Sequence, residues 1–301
     1  MNLKAFEELV KENVSIRLGS RYEVTINKIT KNNDTILSGL TIRQGDLNIS
    51  PTIYLNEYYE GYEKGQYTLY SIVNHIIETY KKNKTDKSVD MKFFLDFDSV
   101  RPFIVHRIIN TERNKEFLKD VPHVEFLDLS IVFMVIINGC ANYNDGLASI
   151  TVTNSHCKIW EIGIDELVFT ARQNTPRLMP ATLKTMDEIL MKAKASGAED
   201  IPTDAYGSNM MVVSNNYGLY GASAMLDKNY LRDLSDAFGN NYYILPSSIH
   251  ELIVLIDSFG TYSEELKEVV RSINATMVEP VEVLSDSVYY FDRENDRLLV
   301  L

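Results

Sequence analysis

The chain has 301 residues, 45% of them hydrophobic and 24% charged, with two cysteines and a net charge of −12. This is the mixture of a folded globular protein with one large domain or two ordinary ones, and it excludes a disordered or fibrous chain. The acidity is lopsided: residues 1–120 hold 18 Lys and Arg against 17 Asp and Glu, whereas residues 121–301 hold 12 against 25. Such a field repels nucleic acid and anionic lipid, so neither is an expected direct partner.

In chain order, Leu3, Phe6, Val10 and Val14 mark one face of an opening helix that Gly19 ends. The N-terminus mixes Lys with Glu and does not read as a secretory signal. YEVTINKIT, from Tyr22, alternates apolar and polar residues as a half-buried strand does; KNND turns the chain and TILSGLTIR returns it. PTIYL, from Pro51, is a shorter third strand. Leu69, Ile72, Val73, Ile76, Ile77 and Tyr80 fall on one face of a helix, with His75 on the opposite side. Val100, Phe103, Ile104 and Ile108 predict another helix, with Ser99 as N-cap, Pro102 in its first turn and His106 in the core.

Beyond Pro122 a long apolar strand is expected near 125–137 and a second near 148–153, around the turn NGCANYNDG. The apolar run from Phe126 to Gly139 carries Asp128 and is too short for a bilayer, which needs about 20 apolar residues. NSHCKIW reads as strand, which sends His156 and Cys157 to opposite faces. A helix near 165–174 stops at NTP; another starts near Thr185, where Thr185 and Glu188 have capping-box spacing. Residues 196–208 read as a linker. Then come a strand (210–214), a strand (219–225), a helix (228–238) capped by Asp227 and ended by Gly239, strands at 241–246 and 250–256, a helix (262–274) with Thr261 and Glu264 as its capping box, and a final hairpin (287–291 and 297–301). The fold class is therefore α+β, with antiparallel sheets built from successive hairpins and covered by helices. Two units are expected, 1–118 and an acidic 119–301, with 196–208 as the rival boundary.

Phosphate loops, paired-glycine dinucleotide loops, HExxH, CxxC and EF-hand patterns are all absent, so no cofactor and no metal are expected. The sparing use of cysteine fits a reducing cytoplasm. Arg177 lies between two prolines, where a stiff loop could aim it at a carboxylate or phosphate, or at a nearby helix end. The densest polar cluster is SSIHE, Ser247 to Glu251, between two apolar runs. On a strand Ser248 and His250 share a face and Glu251 points away, so a Ser–His pair would need its acid from elsewhere. Candidates are thus Ser248 and His250 for catalysis, and Ser247, Glu251, Arg177 and His156 for a ligand or partner.

The segments SPTIYL, ERNKEFLKDVPHVEFLDLSIVF, NTPRLMP, ILPSSIHE and VLSDSVYYFD, in that order, resemble a family of uncharacterised bacterial proteins, domain of unknown function 5688. The resemblance implies a bacterial cytoplasmic protein, with carriage on mobile elements as one setting, and brings no reaction or catalytic residues. The leading reading is a non-catalytic binding or interaction protein whose acidic surface meets a basic protein partner. The alternatives are a hydrolase using Ser248 and His250, and a mobile-element accessory protein that inhibits a host nucleic-acid enzyme.

Overall fold

The computed structural model describes residues 1–45, 50–84, 91–137, 148–195, 210–257 and 263–301. The described residues are α+β, with three antiparallel sheets among helices. They divide into two compact units, Met1–Phe93 and Phe94–Leu301.

In the first unit, α1 (Leu3–Leu18) takes its N-cap from Asn2, whose side chain accepts the Ala5 N–H. Gly19 closes it at φ 80°, a conformation that favours glycine. β1 (Tyr22–Thr30) and β2 (Ile36–Gln44) pair in register from Tyr22↔Gln44 to Thr30↔Ile36, and β3 (Thr52–Tyr54) adds to β2. Two helices follow, α2 (Asn56–Glu63) and α3 (Leu69–Asn83). Phe6, Val10 and Val14 of α1 meet Ile72, Val73 and Ile76 of α3 over Val24, Leu40 and Ile42. The apolar stripes read from the sequence are therefore the core of this unit.

Two short helices follow at the start of the second unit, α4 (Met91–Leu95), which spans the boundary at Phe93, and α5 (Phe97–Val100). Asp96, not Ser99, caps α5: its carboxylate accepts the Ser99 N–H. The helix expected through Ile108 is instead β4 (Ile104–Asn110), buried along its whole length. A strand apolar on both faces shows no alternation, so periodicity cannot separate it from a buried helix. After α6 (Lys115–Asp120), the expected single strand at 125–137 is a hairpin, β5 (His123–Phe126) and β6 (Leu129–Ile136), turned at Leu127 with φ 58°. β4 runs along one side of β6, and β5 and β7 (Ser149–Thr151) along the other. A boundary at 118/119 would cut the β4–β6 pairing; residues 94–118 belong with the second unit.

NSHCKIW is not a strand but a helix, α7 (Asn154–Trp160). The Thr153 hydroxyl accepts the His156 N–H, and His156 Nδ1 accepts the Thr153 N–H in return. Histidine thus plays the part that Glu or Gln has in a capping box. α8 (Ile164–Leu178) runs through NTP rather than stopping there, with Pro176 inside it. Proline removes the bond to the carbonyl four residues back, a loss borne here one turn from the helix end. β8 (Ala181–Thr185), unanticipated in the sequence, leads into α9 (Met186–Ala195) through the expected Thr185–Glu188 box. The 196–208 linker and Thr261 lie outside the described residues.

The remaining strands are β9 (Met210–Asn215), β10 (Tyr242–Pro246), β11 (Leu252–Ile256), β12 (Tyr289–Asp292) and β13 (Arg297–Val300), with sheet order β13-β12-β10-β11-β9-β8. Alternation sorts β10 and β11 cleanly. Tyr242, Ile244, Leu252 and Val254 face a core shared with Ile108, Leu129 and Leu231, while Tyr243 and Leu245 face Val270. Leu231 belongs to α10 (Lys228–Phe238) and Val270 to α11 (Ser263–Thr276). Asp227 caps α10 and Gly239 ends it, as the sequence predicts. The expected strand at 219–225 is a 3-10 segment, Gly221–Leu226. Asp128, in the β5–β6 turn, accepts hydroxyl bonds from Ser285 (2.6 Å), Ser287 (3.0 Å) and Tyr289 (2.7 Å), which ties that turn to the start of β12.

Candidate functional site

SSIHE begins as a turn. β11 starts at Leu252, so Ser248 and His250 precede it and do not share a strand face. The Ser247 and Ser248 N–H groups both donate to the Glu251 carbonyl, the His250 N–H donates to Ser248 Oγ (3.0 Å), and the Ile249 N–H donates to the Glu282 carbonyl. The serine hydroxyl expected to partner the imidazole serves the histidine's backbone instead. Glu251 is exposed, and its side chain makes no described hydrogen bond. Ile249 is a core residue that anchors the turn.

The His250 ring faces other partners. Its Nδ1 accepts the Tyr220 backbone N–H at 3.0 Å, which fixes the neutral tautomer with the proton on Nε2. Nε2 lies 3.5 Å from a Glu282 carboxylate oxygen. Burial pushes the imidazole below the ordinary histidine range, against the opposing pull of Glu282. The Tyr220 ring lies 5.5 Å from the imidazole and 4.9 Å from the Arg107 guanidinium, whose far side faces the Phe117 ring at 5.9 Å. Arg107 comes from β4, is 9% exposed, and its Nε has no hydrogen-bond partner among the described residues. Burial pushes this guanidinium down from its ordinary range. Arg107, Tyr220, His250 and Glu282 thus form a file of polar groups that runs from the buried guanidinium out to the half-exposed Glu282 carboxylate.

Tyr220 holds the file together at a conformational cost. It sits at φ 57°, left-handed, which costs a residue with a Cβ roughly 1–2 kcal/mol. Gly221 follows and admits no side chain: a Cβ there would lie 2.6 Å from the His250 carbonyl oxygen and from the Ser214 Cα. Ser214 Oγ donates to that same carbonyl at 2.9 Å. The SSIHE turn therefore grips the Tyr220–Gly221 corner by both its ring and its backbone. Strained conformers clamped in this way gather at functional sites.

Beyond the corner lies a cavity of about 460 Å³, walled by α8, β9, the 3-10 segment and the first turn of α10. Tyr220, Gly221 and Ser214 form part of its lining, so the file of polar groups backs onto it. Ser223 also lines it; its hydroxyl oxygen is buried and has no hydrogen-bond partner among the described residues. Arg172 and Lys228, both exposed, are at the rim. Asp227 is there as well, with its Oδ1 accepting the Asn229 and Tyr230 N–H groups of its own helix. The cavity also contains His106, whose backbone N–H donates to Thr175. Burial and the neighbouring Arg172 charge push the His106 imidazole down to about 4, so it is neutral at pH 7.

The other candidates are placed elsewhere. Arg177 donates to the Pro102 carbonyl (2.8 Å) and to Asn174 Oδ1, while the Asn174 amide donates to the Arg101 and Ile104 carbonyls. NTPR is a clasp between the end of α8 and the start of β4. His156 lies half-buried among Phe94 and Trp160, spent as a helix cap. Cys157 is half-buried, and burial pushes its thiol up, away from the reactive thiolate. Among the described residues, no group of three or more His, Cys, Asp or Glu is placed to hold a metal ion. No helix is long and apolar enough to cross a membrane among those residues. Arg107, Arg172, Tyr220, Ser223, Lys228 and Glu282 escaped the sequence reading, because none stands in a motif and the fold gathers them from distant segments.

No curated protein and no solved structure matches this chain. The sequence pattern of the family of unknown function DUF5688 matches residues 3–293, nearly the whole chain. The fold and the cavity wall described above are therefore those of a protein that belongs to the DUF5688 family.

Proposed function

We propose that the Phe94–Leu301 unit is a ligand-binding module and that the cleft between α8, β9 and α10 takes a small organic anion. The observation that carries this is the cavity itself, large enough for a small molecule, with the Arg172 and Lys228 side chains in its lining. Arg172 and Lys228 set the charge of the ligand, since two cations stand there against the single carboxylate of Asp227, whose Oδ1 is turned to its own helix. Binding is favoured over hydrolysis because Ser248 Oγ serves a backbone N–H and both His250 ring nitrogens are turned to other groups. The sparing use of cysteine supports a cytoplasmic setting. A basic protein partner is a second reading, supported by the charge of this unit: residues 94–301 hold 17 Lys and Arg against 30 Asp and Glu.

Thermal denaturation against a panel of small anions (inorganic phosphate, acetate, butyrate, citrate) tests the first reading. At least one should raise the melting temperature in proportion to the logarithm of its concentration. Arg172→Ala and Lys228→Ala should each weaken that binding by about tenfold, the scale of a lost charge-assisted hydrogen bond. Stabilisation by none of the panel, or equal stabilisation of wild type and both variants, contradicts the reading.

A further inference from the structure

A second cavity, of about 310 Å³, adjoins the first: His106, Arg172, Leu226 and Lys228 line both. Its own walls are different in kind. Phe126, Ile131, Phe133, Val168, Leu231 and Leu298, from five separate elements, give it an apolar lining. Phe133 and Leu231 are buried, but Phe126, Ile131, Val168 and Leu298 are only half-buried, although three of these pack against the main core. Such side chains would normally close on one another; here they leave open space at the foot of a cationic rim. Arg297 also lines this chamber, paired with the Asp292 carboxylate at 3.8 Å, while Asp296, the one carboxylate in the lining, is taken in a forked bond by Arg232. A chamber floored by aromatic and aliphatic side chains, with Arg172 and Lys228 at its mouth, is shaped for a molecule that is apolar at one end and anionic at the other.

We propose that the ligand of the cleft is amphipathic: an anionic headgroup held at Arg172 and Lys228, with an unbranched alkyl tail filling the chamber beneath. This rests on the anion-binding reading above and adds the class of ligand to it. His106 fits the shared wall, since an imidazole buried there stays uncharged and leaves the headgroup to the two rim cations. The tail gains by burial against the six apolar side chains, and the gain grows with each methylene until the chamber is full.

The test is calorimetric titration of the whole chain with straight-chain carboxylates from butyrate to dodecanoate, kept below their micelle concentrations, with octanol and octyl phosphate as further arms. Affinity should rise roughly fourfold per methylene, about 0.8 kcal/mol each, and then level off. Octanol should bind far more weakly than octanoate. Comparison of octyl phosphate with octanoate identifies the preferred headgroup, and binding of either supports the proposal. Val168→Trp, which fills the chamber from α8, should abolish the dependence on length; Leu298→Trp fills it from β13 and guards against misfolding of the first variant. If all lengths bind equally and Arg172→Ala weakens them all, the amphipathic inference is overturned while the anion-binding cleft stands. If no alkyl anion binds but phosphate or citrate does, the inference falls alone. If no anion of either panel binds, both fall.

Discussion

His106 shows how a single buried group records its surroundings. Its folded-state pKa, about 4, is depressed below the ordinary histidine value by burial and by the charge of Arg172. The unfolded chain therefore binds a proton at a pH where the folded chain does not. The group makes no pH-dependent contribution above about pH 6.5, destabilises the fold increasingly as the pH drops towards 4, and stops changing below that. The effect is on the order of 3 kcal/mol at its fullest. His106→Gln should flatten that part of the stability curve, as read from urea midpoints between pH 4 and 7. An unchanged acid slope in the variant would show that the imidazole is not held neutral in the folded protein. His250 adds a second, smaller slope of the same sign, because its pKa is also lowered. Protonation there sets an Nδ1–H against the Tyr220 N–H, donor facing donor, and so loosens the strained corner of the cavity wall.

Among the elements, that corner is where sequence and structure part most. Gly221 lies against Ser214 and the His250 carbonyl with no room for a methyl group. Gly221→Ala should cost about 1–3 kcal/mol or more, as overpacking does elsewhere, and should also weaken anion binding by displacing Ser223. A variant as stable as wild type would mean that the 3-10 segment does not press on β9 as described. None of this was legible beforehand. The stretch from Leu219 to Met225 reads as a strand because its residues are small and apolar, and only the left-handed Tyr220 turns it aside. β4 was misread as helix for the opposite reason, since burial on both faces erases the alternation that marks a strand. α7 was misread because seven residues are too few for a helical period to show. Where one face meets water, the pattern held: β1 with β2, α3, and α10 between Asp227 and Gly239 lie where their residues place them. At the site, SSIHE stood out by residue type, but its partners Tyr220, Glu282 and Ser214 come from other segments. The turn therefore looked like chemistry when its bonds are those of a clamp.

At the scale of the molecule, the net acidity falls on one side of the division into compact units. Residues 1–93 hold 13 Lys and Arg against 12 Asp and Glu, so the net acidity belongs to the Phe94–Leu301 unit. That unit has its own cores, and β4 is integral to it as the long partner of β6. A fragment of residues 94–301 should therefore fold cooperatively and keep its near-ultraviolet dichroism. A fragment of residues 119–301, which strips β4 from β6 and exposes an edge of buried apolar residues, should aggregate. Equal behaviour of the two fragments would contradict the boundary at Phe93.

Binding of an organic anion in the cleft beside Tyr220 is read from backbone amide NMR of the whole chain during titration with octanoate. Saturable shifts are expected at Ser214, Gly221, Ser223 and Lys228, around the cavity, with the β1–β3 sheet of the first unit unmoved. Shifts centred on other surfaces, or a spectrum that octanoate and inorganic phosphate both leave unchanged, would contradict it.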